Sequence, residues 1–449
     1  MSDGKESGTA GSAHSTTYAR RLGVFDGTML VMGGIVGAGI FLNPSVVAQR
    51  VGTPALTVGV WVLGGVIALA GAFCFAELGS NRPQAGGGYV YLRDGFGPLP
   101  AFLYGWTLLL VISTGAIAAV AVTFARYATD LAGLGDRWID PLAISAILFL
   151  SAVNYMGVHT GAVVQNVLTV LKLLALVVLI AVGLFVTRSA TEVTMVAPAA
   201  DTLGMGGLFA VVGVALAPVL FAYGGWQQTN YVAEEIVDPE RTLPRALVLG
   251  VIGVVLVYVL ANIVYVKVLG VIGLAASLAP AADVMRKLLG PAGATFISAG
   301  IAISTFGFLN LVILVSPRVY QAMAKDGLFF RRMAQLHPRY RTPTAAIVFQ
   351  AVWASVLTLS GTYGQLLDYV VFGDWIFFGL VGATVFVFRR RGEDIRFATP
   401  AYPWIPGLFV TAAAFVVVSS IASNPENALL GSGLIALGVP VYLFWRGRK

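Results

Sequence analysis

Cysteine and charge are what this chain lacks most. Its 449 residues hold one cysteine, Cys74, so no disulfide framework can staple the fold. Cys74 sits in an apolar run, where a thiol packs as a small hydrophobe. Only 11% of residues are charged, against about 25% in an ordinary soluble domain. Disorder and coiled coil, which both need a charge-rich chain, are excluded as the main state. The three histidines, His14, His159 and His337, are scattered, and no Cys/His cluster has metal-ligand spacing. There is no Walker-type phosphate loop, no Gly-x-Ser-x-Gly elbow and no His-Glu-x-x-His. ATP-driven, acyl-transfer and zinc-peptidase chemistry thus have no residues to stand on. No enzymatic activity, metal or cofactor is expected.

What is present is apolar length. Hydrophobic residues make up 58% of the chain, with 53 glycines and many aromatics. A spanning helix needs about 20 mostly apolar residues. Twelve runs qualify: 24–51, 55–79, 98–129, 139–157, 161–186, 206–233, 246–270, 292–322, 343–360, 364–388, 402–422 and 428–445. They are apolar on every face, whereas a membrane barrel alternates over ten-residue strands. The predicted fold is an all-α membrane protein of twelve helices in one domain, 23–449. Residues 1–20 are Ser/Gly/Thr-rich without the apolar core of a signal peptide, so 1–22 reads as a disordered cytoplasmic tail.

Twelve spans put both ends on one side. Of the 28 lysines and arginines, 20 then fall in the tail, the C-terminus and the loops on that side. Seven fall on the other side, and Lys172 lies inside a span. Basic loops stay in the cytoplasm during insertion, so both termini are predicted to be cytoplasmic, in the plasma or inner membrane. The same bias explains the net charge of +7 without nucleic acid.

The first span carries Gly33, Gly34, Gly37 and Gly39 around Ile35, Val36 and Ala38. Each glycine weakens a helix by about 1 kcal/mol relative to Ala. The motif alone allows two readings: a close helix contact from Gly33 to Gly37, or a break that frees backbone groups at mid-membrane. The sixth span has Phe221-Ala222-Tyr223-Gly224-Gly225-Trp226 just after Pro218. Proline removes a helix hydrogen bond, and glycine permits non-helical dihedrals. Interrupted helices at positions one and six of ten point to two inverted halves around a midplane site. Those halves would be 23–190 and 200–390, with the last two helices, 400–446, appended.

Breaks bring their own chemistry. A half-helix N-terminus presents unpaired N–H groups and partial positive charge, suiting a carboxylate. A half-helix C-terminus presents carbonyls, suiting an ammonium. A site with both is matched to an α-amino acid. The expected carboxylate donors are the amides near Gly37, Ala38 and Gly39. The expected ammonium acceptors are the carbonyls near Ile35 and Phe221–Tyr223.

At these residues the sequence resembles the amino acid–polyamine–organocation superfamily, and within it the L-type amino-acid transporter branch. The likeness rests on Gly37-Ala38-Gly39-Ile40-Phe41; on Phe75-Ala76-Glu77-Leu78-Gly79 through Gly86-Gly87-Gly88-Tyr89; on Phe221 to Trp226 followed by Glu234-Glu235-Ile236-Val237-Asp238-Pro239-Glu240-Arg241; and on Lys172. It covers about residues 20–445. The resemblance implies discontinuous helices 1 and 6 and sodium-independent amino-acid transport, commonly by exchange. It carries substrate contacts onto Ile35, Gly37, Ala38, Gly39, Phe221 and Gly224, with Phe221 as an aromatic gate. It sets Lys172 in the place of a sodium ion, bridging the first half-helix to helix 8. The family often has serine at Ala38 and asparagine at Gln227 and Asp374, departures that bear on which substrate fits. Mammalian members join a glycoprotein through a cysteine after the third span; residues 130–140 have none, so no disulfide-linked heavy chain is expected.

Several polar residues inside spans need a role. Lys172 sits mid-span, where insertion costs roughly 2.5–3.5 kcal/mol; it either snorkels or serves the site. Asp374 is a second titrating group or a hydrogen-bonded neutral one. Asn310 either lies near the substrate, as the resemblance implies, or ties helices together. Glu77, Glu234 and Glu235 read as partners for inner arginines such as Arg82. The run Arg389-Arg390-Arg391 reads as a topology signal. The expected function is alternating-access transport of neutral L-amino acids, its partners the small substrate and the bilayer, as monomer or homodimer. A proton-coupled symporter, a cationic amino-acid or polyamine carrier, and a channel or nutrient receptor are the rivals.

Overall fold

The computed structural model describes residues 17–186, 204–361, 363–423 and 425–447. Among them the fold is helical throughout, with no strand and one isolated bridge, Leu22 to Ile236. Helices stand at all twelve expected positions. The first span is a pair, α1 (Val24–Ile35) and α2 (Gly39–Val51), bent by 43° at its break. Then come α3 (Pro54–Asn81), the short α4 (Gly88–Phe96) and α5 (Pro98–Ala132). Next are α6 (Ile139–Tyr155) and α7 (Val158–Phe185). After them stand α8 (Gly204–Tyr223), α9 (Pro239–Ala276), α10 (Pro280–Val315), α11 (Pro317–Lys325), α12 (Thr344–Leu359) and α13 (Tyr363–Arg390). The last are α14 (Trp404–Ser423), α15 (Pro425–Ala436) and α16 (Gly438–Arg446).

By length and composition, nine described helices can cross a membrane alone, and the bent pair makes ten. Of the two other expected spans, α12 has only 16 residues. The other, α8, stops at Tyr223 and the chain continues as a 3-10 segment, Trp226–Glu235. The expected tail is shorter than 1–22: Tyr18 and Leu22 are buried. Residues 187–203 and 1–16 lie outside the described residues.

Local chemistry sets the ends. Pro54 opens α3 where its missing N–H costs nothing, and the Thr53 hydroxyl accepts from the Leu56 amide. Gly270 and Gly290 kink α9 and α10 at φ 68° and 69°, a region only glycine enters cheaply. Within α5, Leu108–Ile112 form a π turn, which no feature of the sequence announced. Such turns cluster at functional sites, and this one faces the cavity described below.

Aromatics lock the broken helix to its surroundings. Trp226 packs against Phe75, Phe378 and Phe409, ring centroids 4.9–5.9 Å apart. Tyr223 and Tyr258 each meet Trp61 edge-on. In lipid such contacts stabilise through van der Waals packing of the rings and not through removal from water.

The basic loops form specific pairs. Glu77 holds Arg389 through two 2.8 Å bonds and also accepts from the Thr399 amide. The expected partner Arg82 instead meets Glu393 and Asp94. Glu235 pairs with Arg318, both fully buried, at 2.7 Å. Thus Arg389 is more than a topology signal, and Glu77 closes a cluster with the loop after α13.

Candidate functional site

Both glycine motifs break as the sharper reading expected. Between α1 and α2, Val36, Gly37 and Ala38 leave the helix. Between α8 and the 3-10 segment, Gly224 and Gly225 do the same, Gly225 at φ +114°. The two breaks touch. A Cβ on Gly34 would lie 2.7 Å from the Gly225 carbonyl oxygen, and one on Gly225 only 2.1 Å from the Gly34 oxygen. Glycine is required at both, because any side chain would drive the crossing backbones apart.

A cavity of about 320 Å³ lies at this crossing. That is at the small end for ligand pockets, which run to about 1,000 Å³. Ile35, Gly37, Ala38, Gly39, Phe221, Ala222 and Gly224 line it, as does Asp374 from α13. Its far wall is the α5 face from Leu108 to Thr123. Leu42 and Asn43 flank it on α2. It therefore extends toward the end of the bundle away from the N-terminal segment. The opposite end is sealed. The Arg21 and Leu22 amides donate to the Glu235 carbonyl, and the Val237 amide donates to that of Leu22.

The backbone groups fall as a zwitterion site needs. The amides of Ala38 and Gly39 donate to no acceptor among the described residues, as expected at a helix N-terminus. The carbonyl side is partly used. The Ile35 oxygen accepts from the Gly37 amide and from the Tyr258 hydroxyl, each at 2.9 Å. That hydroxyl also lies 3.3 Å from the Ala222 oxygen, so Tyr258 bridges both breaks. The Phe221 oxygen accepts only the Gly224 amide, leaving a lone pair for a ligand.

Three expected contacts lie elsewhere. Val36 is buried and its carbonyl faces Lys172 and Ser304, not the cavity. Tyr223 points its ring at Trp61 and Tyr258. Asn310 does not line the cavity. Its amide binds Gly161 and Gln165 and its oxygen accepts from Asn154, so it fastens α10 to α6 and α7. The structural reading of Asn310 is the one the geometry supports. Lys172 also stays outside the cavity: its Nζ donates to the Gly33 and Val36 carbonyls, both at 2.6 Å. Ser304 of α10 donates to the same Val36 oxygen and toward that of Gly37. Lysine and serine together hold the unwound strand by its carbonyls.

Sequence reasoning passed over Asn43, Ser113, Thr123, Gln228, Tyr231, Phe308, Trp375 and Phe378 of the lining. Of the lining, Gln227 was noticed only as a departure; its side chain accepts the Gly225 amide at 2.9 Å and caps the second break.

Residues 22–445 match the amino acid permease family. The chain belongs to that family. Among its relatives is the serine/threonine exchanger SteT of Bacillus subtilis (strain 168), 31% identical over 96% of this chain and 98% of that one. The human b(0,+)-type amino acid transporter 1 is 31% identical over 96% and 88%. The human large neutral amino acids transporter small subunit 2 is 32% identical over 98% and 83%. The expected likeness to L-type transporters is borne out by these relatives. Almost the whole chain is covered, so the two breaks, Lys172 and the C-terminal helices of this permease all fall inside the match.

Proposed function

We propose that this permease carries neutral L-amino acids across the cell membrane by alternating access, exchanging one substrate molecule for another without sodium. The observation that carries the reading is the crossing of two broken helices, which puts free amides and a free carbonyl lone pair at one small cavity. The relatives named for amino-acid transport or exchange support it. The substrate carboxylate docks on the Ala38 and Gly39 amides, and its ammonium on the Phe221 oxygen. Phe221, 40% exposed, covers the site as the outer gate. Residues 23–190 and 200–390 act as the two inverted halves, with 400–446 appended. The N-terminal segment and basic loops face the cytoplasm, so the described conformation opens outward. The Lys172 Nζ takes the place a bound cation would otherwise hold, donating to the Gly33 and Val36 carbonyls. The single cysteine, Cys74, is buried in α3, which supports work without a disulfide-linked heavy chain. Transport, not chemical turnover, is the activity, and no cofactor takes part.

Counterflow in proteoliposomes tests this. Labelled amino acid accumulates only in vesicles preloaded with unlabelled substrate, equally in sodium and choline buffers. Accumulation driven by an imposed pH gradient alone would favour the proton-coupled rival. Conductance without substrate would favour a channel, and tight binding without flux a nutrient receptor.

A further inference from the structure

The side-chain end of the cavity has more hydrogen-bond acceptors than the protein satisfies. Asp374 is the one charged side chain among the lining residues. It is half-buried, and no Lys, Arg or His among the described residues forms an ion pair with it. Lys172, the lysine inside a span, is engaged by the carbonyls of Gly33 and Val36. On the same wall, Gln228 Oε1 is buried and accepts no hydrogen bond. Tyr231, another lining residue, shares one 2.5 Å hydrogen bond with the Tyr104 hydroxyl. A pair of hydroxyls bonded to each other has one proton left to offer. One proton cannot satisfy both the carboxyl oxygens of Asp374 and the amide oxygen of Gln228.

A buried acceptor left empty is costly, so a wall of this kind holds a ligand that donates. An aliphatic side chain lodged here would bury Asp374 and Gln228 against methyl groups and satisfy neither. We infer that Asp374 and Gln228 select amino acids whose side chain carries a hydrogen-bond donor, and discriminate against aliphatic side chains of the same shape. This rests on the α-amino-acid reading above: the backbone breaks hold the zwitterion, and the Asp374–Gln228 wall reads the side chain. In a neutral substrate the donor is a hydroxyl; an ammonium meets the same acceptors but belongs to the cationic rival, so the lysine pair is the arm that tells the two apart.

Two matched pairs test it in the full-length permease in proteoliposomes. Threonine and valine differ by a hydroxyl for a methyl; lysine and norleucine differ by a terminal ammonium for a methyl of nearly the same length. Competition against a labelled substrate gives each ratio. A site built for a donor rejects the analogue that lacks it, in well-formed cases by several powers of ten. Here the donor-bearing member of at least one pair competes about tenfold better or more, and the pair that responds identifies the donor as hydroxyl or ammonium. Asp374→Leu brings that ratio to about one, and Gln228→Leu lowers it independently should Asp374→Leu fail to insert. Ratios near one for both pairs in the unaltered protein overturn the inference, as does a ratio that neither substitution changes. The two readings fail differently: if α-amino acids exchange but the pairs compete equally, only the side-chain inference falls. If no α-amino acid exchanges at all, the zwitterion site falls, and this inference with it.

Discussion

Gly34 and Gly225 meet backbone to backbone, each standing where the other's carbonyl oxygen leaves no room for a Cβ. This one contact holds two broken helices at a fixed distance and so sets the width of the cavity between them. Gly34→Ala and Gly225→Ala are both expected to destabilise the protein by about 1–3 kcal/mol, the usual cost of overpacking. Gly225→Ala is the worse of the two, because its φ of +114° disfavours any side chain as well. Gly37→Ala is the control. Its Cβ would meet Phe308 at an ordinary 3.7 Å, so thermal unfolding shifts little while the added methyl narrows the site and weakens substrate competition. Equal melting temperatures for all three variants would remove the contact's role.

Lys172 and Ser304 hold the first break from outside the cavity. Lys172→Met keeps the aliphatic stem but leaves the Gly33 carbonyl without its donor and Val36 with only Ser304. A buried group stripped of its partner costs about 1–3 kcal/mol, and in a membrane no water replaces the lost donor. The expected outcome is an inserted protein, monodisperse on size exclusion, with counterflow reduced at least tenfold. Normal flux would make this lysine merely structural.

Tyr258→Phe removes a single oxygen. It is expected to cost about 1 kcal/mol, the net worth of an ordinary hydrogen bond. Its effect on transport should exceed its effect on stability, because the hydroxyl ties the Ile35 oxygen to the Ala222 oxygen across the two breaks. Flux measured beside a melting curve separates the two. A proportionate loss in both would mean that the bridge acts only by holding the fold.

The sequence announced its architecture through composition and its site through glycines. Long apolar runs fixed the helices because lipid forces every backbone group to pair internally. Gly37 and Gly224 marked the breaks because only such clusters sit badly in a helix. What stayed hidden depended on rotation about helix axes. Asn310 and Asp374 are both polar residues inside spans, yet one turns into a helix interface and the other into the cavity. In helices apolar on all faces, no stripe tells the two orientations apart. The π turn at Leu108–Ile112, with its run of Leu, Val and Ile, likewise has no local signal, since its register shift is imposed by packing. Glu77 found Arg389 rather than Arg82 because long arginine side chains let tertiary geometry choose among neighbouring carboxylates.

The seal at the closed end makes a sharper distinction between pairing and bare stability. Arg318 donates to Glu235 and also to the Leu314 carbonyl, with both charged side chains fully out of solvent. Desolvation offsets much of what such a pair gains, so replacing both members with apolar groups is often neutral, whereas removing one leaves a buried charge and costs about 3–5 kcal/mol. Arg318→Met alone is therefore expected to lower the melting temperature markedly, and Arg318→Met with Glu235→Leu to recover most of the loss. The double variant should still transport differently. Without the pair, the end of the 3-10 segment loses its side-chain anchor on α11 and is held to the N-terminal segment by the backbone bonds of Arg21, Leu22 and Val237. That tie is easier to part, so the closed end opens more often. Leu22→Cys in a Cys74→Ala background, at a position buried in the seal, should then react faster with a maleimide in the double variant than in the parent. Equal labelling rates would show that the Glu235–Arg318 pair anchors the loop without controlling access to the cavity.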